Sequence, residues 1–218
     1  MVQKGEFLER PALIAVGDLW LEGLYHRGDD RPGLLICPPI AGEIGMDAPP
    51  VAELAFQTAR SGRASLRFQH RGFGASQGAP DASLTLADAE AARVHLEACI
   101  DAQRVDVAGY LSGAGTAVEV ARACRRVRHV CLIAPPDLLD LAGLEDRRVL
   151  VILAGSQGQE LKDAWRARLE GIESAVERIE GADPKFLRGL PALGERVVAW
   201  LGGAQDLELD LDRGPGVE

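Results

Sequence analysis

The chain has 218 residues, of which 47% are hydrophobic, 26% charged and only 5% aromatic, and its formal net charge is −9. This composition is typical of one globular domain and is short for two. The negative charge argues against a nucleic-acid partner, because phosphate binding needs a basic face.

Cysteine spacing and the composition of the N-terminus further limit the class of protein to which the chain can belong. The four cysteines are widely separated and form no C-x-x-C pair, so we expect structural free thiols. The sequence contains no cluster of His, Cys and carboxylate residues at the spacing of metal ligands. We therefore expect no metal site and no cofactor. The first residues contain no apolar signal core, and no run is long enough to span a bilayer, so we expect a cytoplasmic location without membrane contact.

Apolar runs of strand length alternate with helical patterns along the chain. Residues 12–16 and 19–25 predict an antiparallel pair with a turn at Gly17-Asp18. Six further strands are predicted over residues 33–37, 64–68, 104–108, 129–134, 148–154 and 174–180. Helices are predicted over residues 50–60, 85–99, 113–124, 160–170 and 189–201. Thr85-Leu86-Ala87-Asp88 has the spacing of a capping box.

This alternation predicts the fold class: α/β, with a doubly wound, mostly parallel sheet and an N-terminal antiparallel strand pair. Residues 1–203 are interpreted as the domain and residues 204–218 as an acidic tail. In the tail, leucines at 207, 209 and 211 alternate with carboxylates. That pattern suits a frayed end, or a strand added to the sheet edge of a partner or second copy.

Three segments together resemble the small, lid-poor bacterial α/β-hydrolases related to dienelactone hydrolase. They are LRFQHRGFGASQG at residues 66–78, VAGYLSGA at residues 107–114 and LIAPP at residues 132–136. The resemblance extends over residues 13–201. It implies an α/β-hydrolase fold with a nucleophile elbow after the strand over residues 104–108, and a triad in the chain order Ser, Asp or Glu, His.

The elbow segment departs from the family pattern G-x-S-x-G. Gly109 and Gly113 hold the flanking positions, and Leu111 stands between them. If Ser112 were the nucleophile, Tyr110 would have to fit where the turn admits only a tiny residue. We therefore place Leu111 at the apex and expect the side chain of Ser112 to help cap the following helix.

The other two triad positions also lack the expected residues. No histidine follows His129, and the segment where the family histidine is expected reads Gly181-Ala182-Asp183-Pro184. The acid position is Gly158, and nearby Glu160 is interpreted as a solvated helix start. The triad positions are therefore assigned to Leu111, Gly158 and Pro184.

The loop after the third strand should supply an oxyanion donor. Pro38 and Pro39 have no N–H, which leaves Ile40 or Ala41. His70, after the fourth strand, is expected to form structural hydrogen bonds or to line the pocket.

Arg67 and Arg71 are expected to bind carboxylates such as Asp88. The predicted apolar binding region is formed by Leu111, Ser112, Pro39, Ile40, His70 and Arg71.

The sequence thus favours a non-catalytic α/β-hydrolase-fold protein that acts as a binding or assembly subunit. Its candidate ligands are a protein partner, a second copy of the chain, or an apolar small molecule. The alternative is a serine hydrolase of esterase type with a rearranged site, in which Ser112 is the nucleophile and His70 the base. A third reading is a scaffold whose acidic tail recruits a partner.

Overall fold

The computed structural model describes residues 9–29, 31–40, 45–100, 104–183 and 185–202. Eight strands form one sheet: β1 (Arg10–Val16), β2 (Leu19–His26), β3 (Gly33–Cys37), β4 (Ser65–Phe68), β5 (Val105–Tyr110), β6 (His129–Ile133), β7 (Arg148–Ala154) and β8 (Glu173–Ile179). Five helices accompany them: α1 (Pro49–Arg60), α2 (Thr85–Cys99), α3 (Gly113–Ala123), α4 (Gln159–Arg168) and α5 (Leu190–Gly202). These bounds agree with the sequence prediction to within about two residues.

The strand order is β1-β2-β4-β3-β5-β6-β7-β8. The β1–β2 hairpin is antiparallel and joins β4 in the antiparallel sense, and every later pairing is parallel. The predicted fold class is therefore confirmed. Because β3 lies between β4 and β5, the chain changes direction of winding there, and in open α/β sheets ligands bind at such a switch point.

Two apolar cores cover the two faces of the sheet. One includes Val51 and Leu54 of α1 together with Val197 of α5. The other includes residues of α2 and α3 and the fully buried Trp165 of α4. All five residues of β3 are buried, as are all six of β5, because helices cover the central strands on both sides. This burial explains why those strands appear in the sequence as continuous apolar runs.

The start of α2 differs from the prediction. Thr85 is the first helical residue, and its Oγ1 donates a hydrogen bond to the Ala82 carbonyl, 3.2 Å away, so no side chain caps this helix. The Asp88 carboxylate is buried and binds Arg71 instead of reaching back to the helix start. The predicted capping box is therefore wrong, because the Asp88 carboxylate that would complete it forms an ion pair with Arg71 in a distant loop.

All four cysteines are free thiols, and three of them are buried. Within the described ranges no helix is long and apolar enough to cross a membrane. The same residues contain no group of three His, Cys or carboxylate side chains able to hold a metal ion. The C-terminal tail lies outside the described residues.

The turn from β5 to α3 is packed so tightly that only glycine fits at its two ends. A Cβ on Gly109 would overlap the Gly113 carbonyl, and a Cβ on Gly113 would overlap the carbonyls of Cys37 and Pro38 at the end of β3. Between these glycines Leu111 adopts a positive φ of 50°. The turn is therefore fixed by contact between backbones.

We predict that Gly109→Ala lowers the free energy of unfolding by roughly 3 kcal/mol or prevents folding, because overpacking forces backbone to move. Gly115→Ala is the matched control, since a Cβ there has no neighbour within 4 Å. The free energy of unfolding of Gly115→Ala should stay within about 1 kcal/mol of the wild-type value. Urea denaturation measures both, and equal stability of the two variants would contradict the close packing described for Gly109.

Candidate functional site

The site is built where the ends of β3, β4 and β5 meet. β3 ends at Cys37 and β5 at Tyr110, and only two residues separate β5 from α3. Because β3, β4 and β5 are parallel, the loops that follow them lie at one edge of the sheet, at the switch point described above. This edge carries the elbow, the loop containing Ile40 and the loop containing His70.

Leu111 lies at the apex of the turn. Its N–H donates to the Ile133 carbonyl over 2.9 Å. Its half-buried side chain packs against the core on the face covered by α1 and α5. Serine hydrolases place their nucleophilic hydroxyl at this strained position, whereas the leucine has only carbon atoms to offer there.

Ser112 follows the apex and contacts the loop after β3. Its Oγ accepts a hydrogen bond from the Ile40 N–H at 2.9 Å. Ser112 stands at the N-cap position of α3, but its side chain forms no capping hydrogen bond, so the predicted capping role is wrong. The Ile40 N–H was one of the two candidate oxyanion donors, and it is engaged by this serine. Pro39 is buried beside it, and Ala41 lies outside the described residues.

His70 is buried two residues beyond the end of β4. Only 3% of the residue is exposed, and its ring meets Phe68 edge-on with centroids 5.0 Å apart. Its Nδ1 lies 3.5 Å from Oδ2 of Asp88, and neither ring nitrogen has a hydrogen-bond partner in the described part of the chain. His70 thus lies against the Asp88 carboxylate and is among the residues that line a pocket together with Ile40 and Phe73.

Asp88 organises the loop around His70. The Arg71 guanidinium donates two hydrogen bonds to Asp88 Oδ1 at 2.8 and 2.6 Å, and the Arg71 N–H donates to Oδ2 at 3.0 Å. Burial alone would raise the pKa of the Asp88 carboxyl, but the adjacent His70 imidazole and the bonds from Arg71 outweigh burial and lower that pKa. Asp88 is thus an ionised, fully buried group, and the expected Arg71–Asp88 contact is present.

Arg67 does not bind Asp88. Its guanidinium pairs with Glu9 through two bonds of 2.8 Å, and it also donates to Asp47 and to the Met46 carbonyl. The side chain of Arg67 therefore ties β4 to the segment that enters β1 and to the 3₁₀ turn before α1, and its carboxylate partners are Glu9 and Asp47.

The other three histidines lie away from the elbow edge. His26 pairs with Ser65, the first residue of β4, at 3.3 Å. His129 is the first residue of β6, and its Nδ1 lies 3.0 Å from Asp106 at the opposite edge of the sheet. His95 lies within helix α2. His70 is therefore the one histidine positioned on the loops that follow β3, β4 and β5.

The loops after β7 and β8 form a separate open cleft of about 520 Å³. It is lined by Gly155, Ser156, Gly181, Ala182, Asp183 and Arg188. Gly158, the assigned acid position, precedes α4 with an extended backbone, and Glu160 is exposed in the first turn of that helix. Pro184, the assigned histidine position, lies outside the described residues.

Asp183 is a carboxylate in this cleft to which sequence reasoning gave no role. Its two oxygens accept the backbone N–H groups of Lys185 at 2.8 Å and Arg188 at 3.3 Å, so it shapes its own loop. A second missed group is Gln69, whose Oε1 accepts the Met46 N–H at 3.0 Å and holds the segment before α1. The sequence signal for the turn-forming role of Asp183 is an aspartate followed by turn residues. No local signal in the sequence reveals the contact of Gln69 with Met46.

Comparison with solved structures identifies the fold. A protein of unknown function from Agrobacterium tumefaciens, described as a candidate α/β hydrolase, matches with a TM-score of 0.77 and 23% identity over 96% of this chain and 100% of that one. An α/β serine hydrolase homologue from Coxiella burnetii matches with a TM-score of 0.75 and 24% identity over 87% of this chain and 95% of that one. Dienelactone hydrolase from Anabaena variabilis matches with a TM-score of 0.71 and 19% identity over 89% of this chain and 97% of that one.

No protein-family model matches the sequence, and no curated protein matches it significantly. The chain therefore has the fold of the α/β serine hydrolases, as the sequence motifs predicted. At these identities the likeness concerns the fold, and the activity has to be argued from the site.

We predict that Asp88→Asn lowers the free energy of unfolding at pH 7 by roughly 3 kcal/mol, because Arg71 loses its buried counter-charge. A lowered native pKa contributes stability that is present above the unfolded pKa of about 3.9 and disappears as pH falls through the native pKa. The difference in free energy of unfolding between wild type and variant should therefore be constant from pH 8 to about pH 5, and it should become smaller below about pH 4. Urea denaturation across pH measures it.

The exposed Asp163 provides the control, and Asp163→Asn should leave the gap near zero at every pH. A gap for Asp88→Asn that does not change between pH 7 and pH 3 would contradict the ionised, paired state of Asp88.

Proposed function

We propose that this protein uses the α/β-hydrolase fold as a binding scaffold and does not hydrolyse esters through an elbow triad. The observation that carries the proposal is Leu111 at the apex of the elbow, at a φ of 50° between two glycines that leave no room for a Cβ. Backbone packing sets the register of this turn, so a neighbouring serine cannot take the apex without moving Gly109 and Gly113.

The surroundings of the elbow support the same proposal. A serine hydrolase needs a base aligned on the serine and an acid that orients the base. The assigned acid position carries Gly158, and no histidine follows His129 in the sequence. The candidate oxyanion donor Ile40 N–H is used by Ser112 Oγ. A carbonyl oxygen of a substrate would have to displace that serine before it could accept from Ile40.

A binding role places the ligand at the same sheet edge. Candidate occupants are an apolar small molecule, a protein partner and a second copy of the chain. Ile40 and Leu111 present half-buried apolar side chains there, and His70 and Arg71 add polar groups at a neighbouring pocket. Such a mixture of apolar walls and a few placed polar groups is usual for small-molecule sites.

A second candidate function is that of an esterase with a rearranged site, and two observations favour it. Ser112 Oγ is fixed by the Ile40 N–H, and Ile40 also borders the pocket lined by His70, whose imidazole lies against Asp88. The solved structures with this fold include serine hydrolase homologues and a dienelactone hydrolase.

In the esterase chemistry Ser112 Oγ would attack the ester carbonyl carbon while its proton passes to His70, and the protonated imidazole would then return that proton to the leaving alcohol. Water would hydrolyse the acyl-serine by the reverse proton path.

Hydrolysis of p-nitrophenyl acetate and butyrate separates the two functions. We predict that wild type releases p-nitrophenol no faster than heat-denatured protein, and that Ser112→Ala does not change the rate, because no nucleophile stands at the apex. Turnover that is lost in both Ser112→Ala and His70→Phe, but kept in the control His95→Gln, would establish the esterase in place of the binding scaffold.

Placing a hydroxyl at the apex provides an independent test. We predict that Leu111→Ser remains without measurable esterase activity, because triad members act as a unit and a lone serine hydroxyl stays protonated. Leu111→Ala is the matched control for lost packing. An ester hydrolysis rate for Leu111→Ser at least tenfold above that of Leu111→Ala would show that a base already faces the apex.

A further inference from the structure

A row of polar side chains crosses the sheet at the edge opposite the elbow. His129, Arg148 and Glu173 are the first residues of β6, β7 and β8, and the strand register pairs His129 with Arg148 and Arg148 with Glu173. Asp106, near the start of β5, lies beside His129. The row lies on the face that α5 covers, because Trp200 of α5 stacks on Arg148.

Both ring nitrogens of His129 have a partner in this row. Nδ1 lies 3.0 Å from Oδ1 of Asp106, which also accepts the backbone N–H of His129 at 3.2 Å. Nε2 lies 3.0 Å from Nη1 of Arg148. A guanidinium can only donate, so Nε2 must be the accepting nitrogen and carry no proton. The geometry therefore requires a neutral imidazole with its proton on Nδ1.

The last turn of α5 is attached to the groups on either side of His129. The Arg148 guanidinium lies over the Trp200 ring, with Cζ 4.6 Å from the centroid. Arg63 lies 3.5 Å from Oδ2 of Asp106 and donates to the Leu201 carbonyl at 2.7 Å. One attachment therefore runs through Arg148, and the other runs through Arg63.

The charges that face His129 are balanced while its ring is neutral. They are two guanidiniums and two carboxylates, namely Arg63, Arg148, Asp106 and Glu173. The charges next to them on β6 and α5 have their own partners, in the pairs Arg128–Asp146 and Arg196–Glu177.

A proton on Nε2 would disturb this balance. It would add a third positive charge and set an N–H of the ring against the N–H of Arg148. The bond from Nδ1 to Asp106 suits both charge states of the ring, so the contact that fails is the one to Arg148. The Arg148 side chain is 32% exposed and can turn towards solvent.

We propose that His129 is a pH-sensitive switch, which holds the last turn of α5 on the sheet when neutral and loosens it when protonated. Histidine is the side chain that ordinarily gains a proton between about pH 8 and pH 5. Protonation expels Arg148 from Nε2 and from the Trp200 ring, while the bond from Arg63 to Leu201 remains. This regulation goes beyond the proposed function and does not depend on what the elbow edge binds.

Hydrogen exchange of the full-length protein at pH 8 and pH 5, corrected for the intrinsic exchange rates, tests the switch. We expect the protection of residues 195–202 to fall by at least about tenfold at pH 5, because a hydrogen bond from a charged group is lost. Helix α3 should keep its protection and serves as the internal reference. The imidazole nitrogen resonances of the ¹⁵N-labelled protein report the charge of His129 and should show Nε2 without a proton at pH 8.

Three variants complete the design. His129→Gln has a neutral amide at every pH, so its residues 195–202 should be equally protected at pH 8 and pH 5. His95→Gln is the same substitution on α2 and should retain the wild-type response. In Arg148→Gln the amide can donate to a neutral Nε2 or accept from a protonated one, so the response should disappear although His129 still titrates. This variant keeps the switch testable if His129→Gln does not fold.

Four results would overturn the proposal. The first is equal protection of residues 195–202 at the two pH values in wild type, and the second is an equal loss of protection in α3. The third is a response that persists in His129→Gln or Arg148→Gln. The fourth is a nitrogen spectrum that shows the proton on Nε2 at pH 8, or a ring that stays neutral down to pH 5. The ester hydrolysis assays are independent of all four.

Discussion

Contact between the backbones of β5, α3 and β3 determines the geometry of the functional edge. Gly109 and Gly113 approach carbonyl groups so closely that neither position admits a side chain. The residue between them must then adopt a left-handed backbone, which costs a residue other than glycine roughly 1 kcal/mol. Leu111 offsets this cost through its N–H bond to Ile133 and its packing on the core. The turn keeps the shape of a nucleophile elbow with a leucine at its apex.

A second constraint lies beside the elbow, in the buried ion pair of Arg71 and Asp88. Removing either partner would leave a charge without compensation, so the pair fixes the loop after β4 onto α2. The same carboxylate lies 3.5 Å from His70 Nδ1 and thereby holds the ring beside the start of α2. The elbow and this loop meet through Ile40, whose N–H binds Ser112 and whose side chain borders the pocket of His70.

The elements of the fold could be predicted because they rest on local pattern. The apolar runs of β3 and β5 are buried on both faces. In the Gly-x-Leu-x-Gly spacing of the elbow, Gly109 reflects a contact four residues away with Gly113, whereas Gly113 reflects a contact with the end of β3. Partners distant in sequence could not be predicted in the same way. Asp88 has the spacing of a capping residue, yet it binds Arg71, 17 residues away.

The role of Ser112 shows the same limit. A serine at the start of a helix ordinarily caps that helix, but the loop after β3 brings the Ile40 N–H to its hydroxyl from 72 residues away. Arg67 likewise has its partner Glu9 at a separation of 58 residues. Local propensity cannot show which of several polar groups a fold will bring together, so these contacts become visible only in three dimensions.

Covalent labelling with a fluorophosphonate tests the central claim most directly, because the reagent reacts with a serine only when a base activates it. Intact-mass analysis of the native protein, with heat-denatured protein as the control, gives the stoichiometry of the adduct. The absence of a nucleophile at Leu111 predicts no adduct on the native protein above the denatured control. One adduct per chain that disappears in Ser112→Ala would contradict the account and establish Ser112 as an active nucleophile.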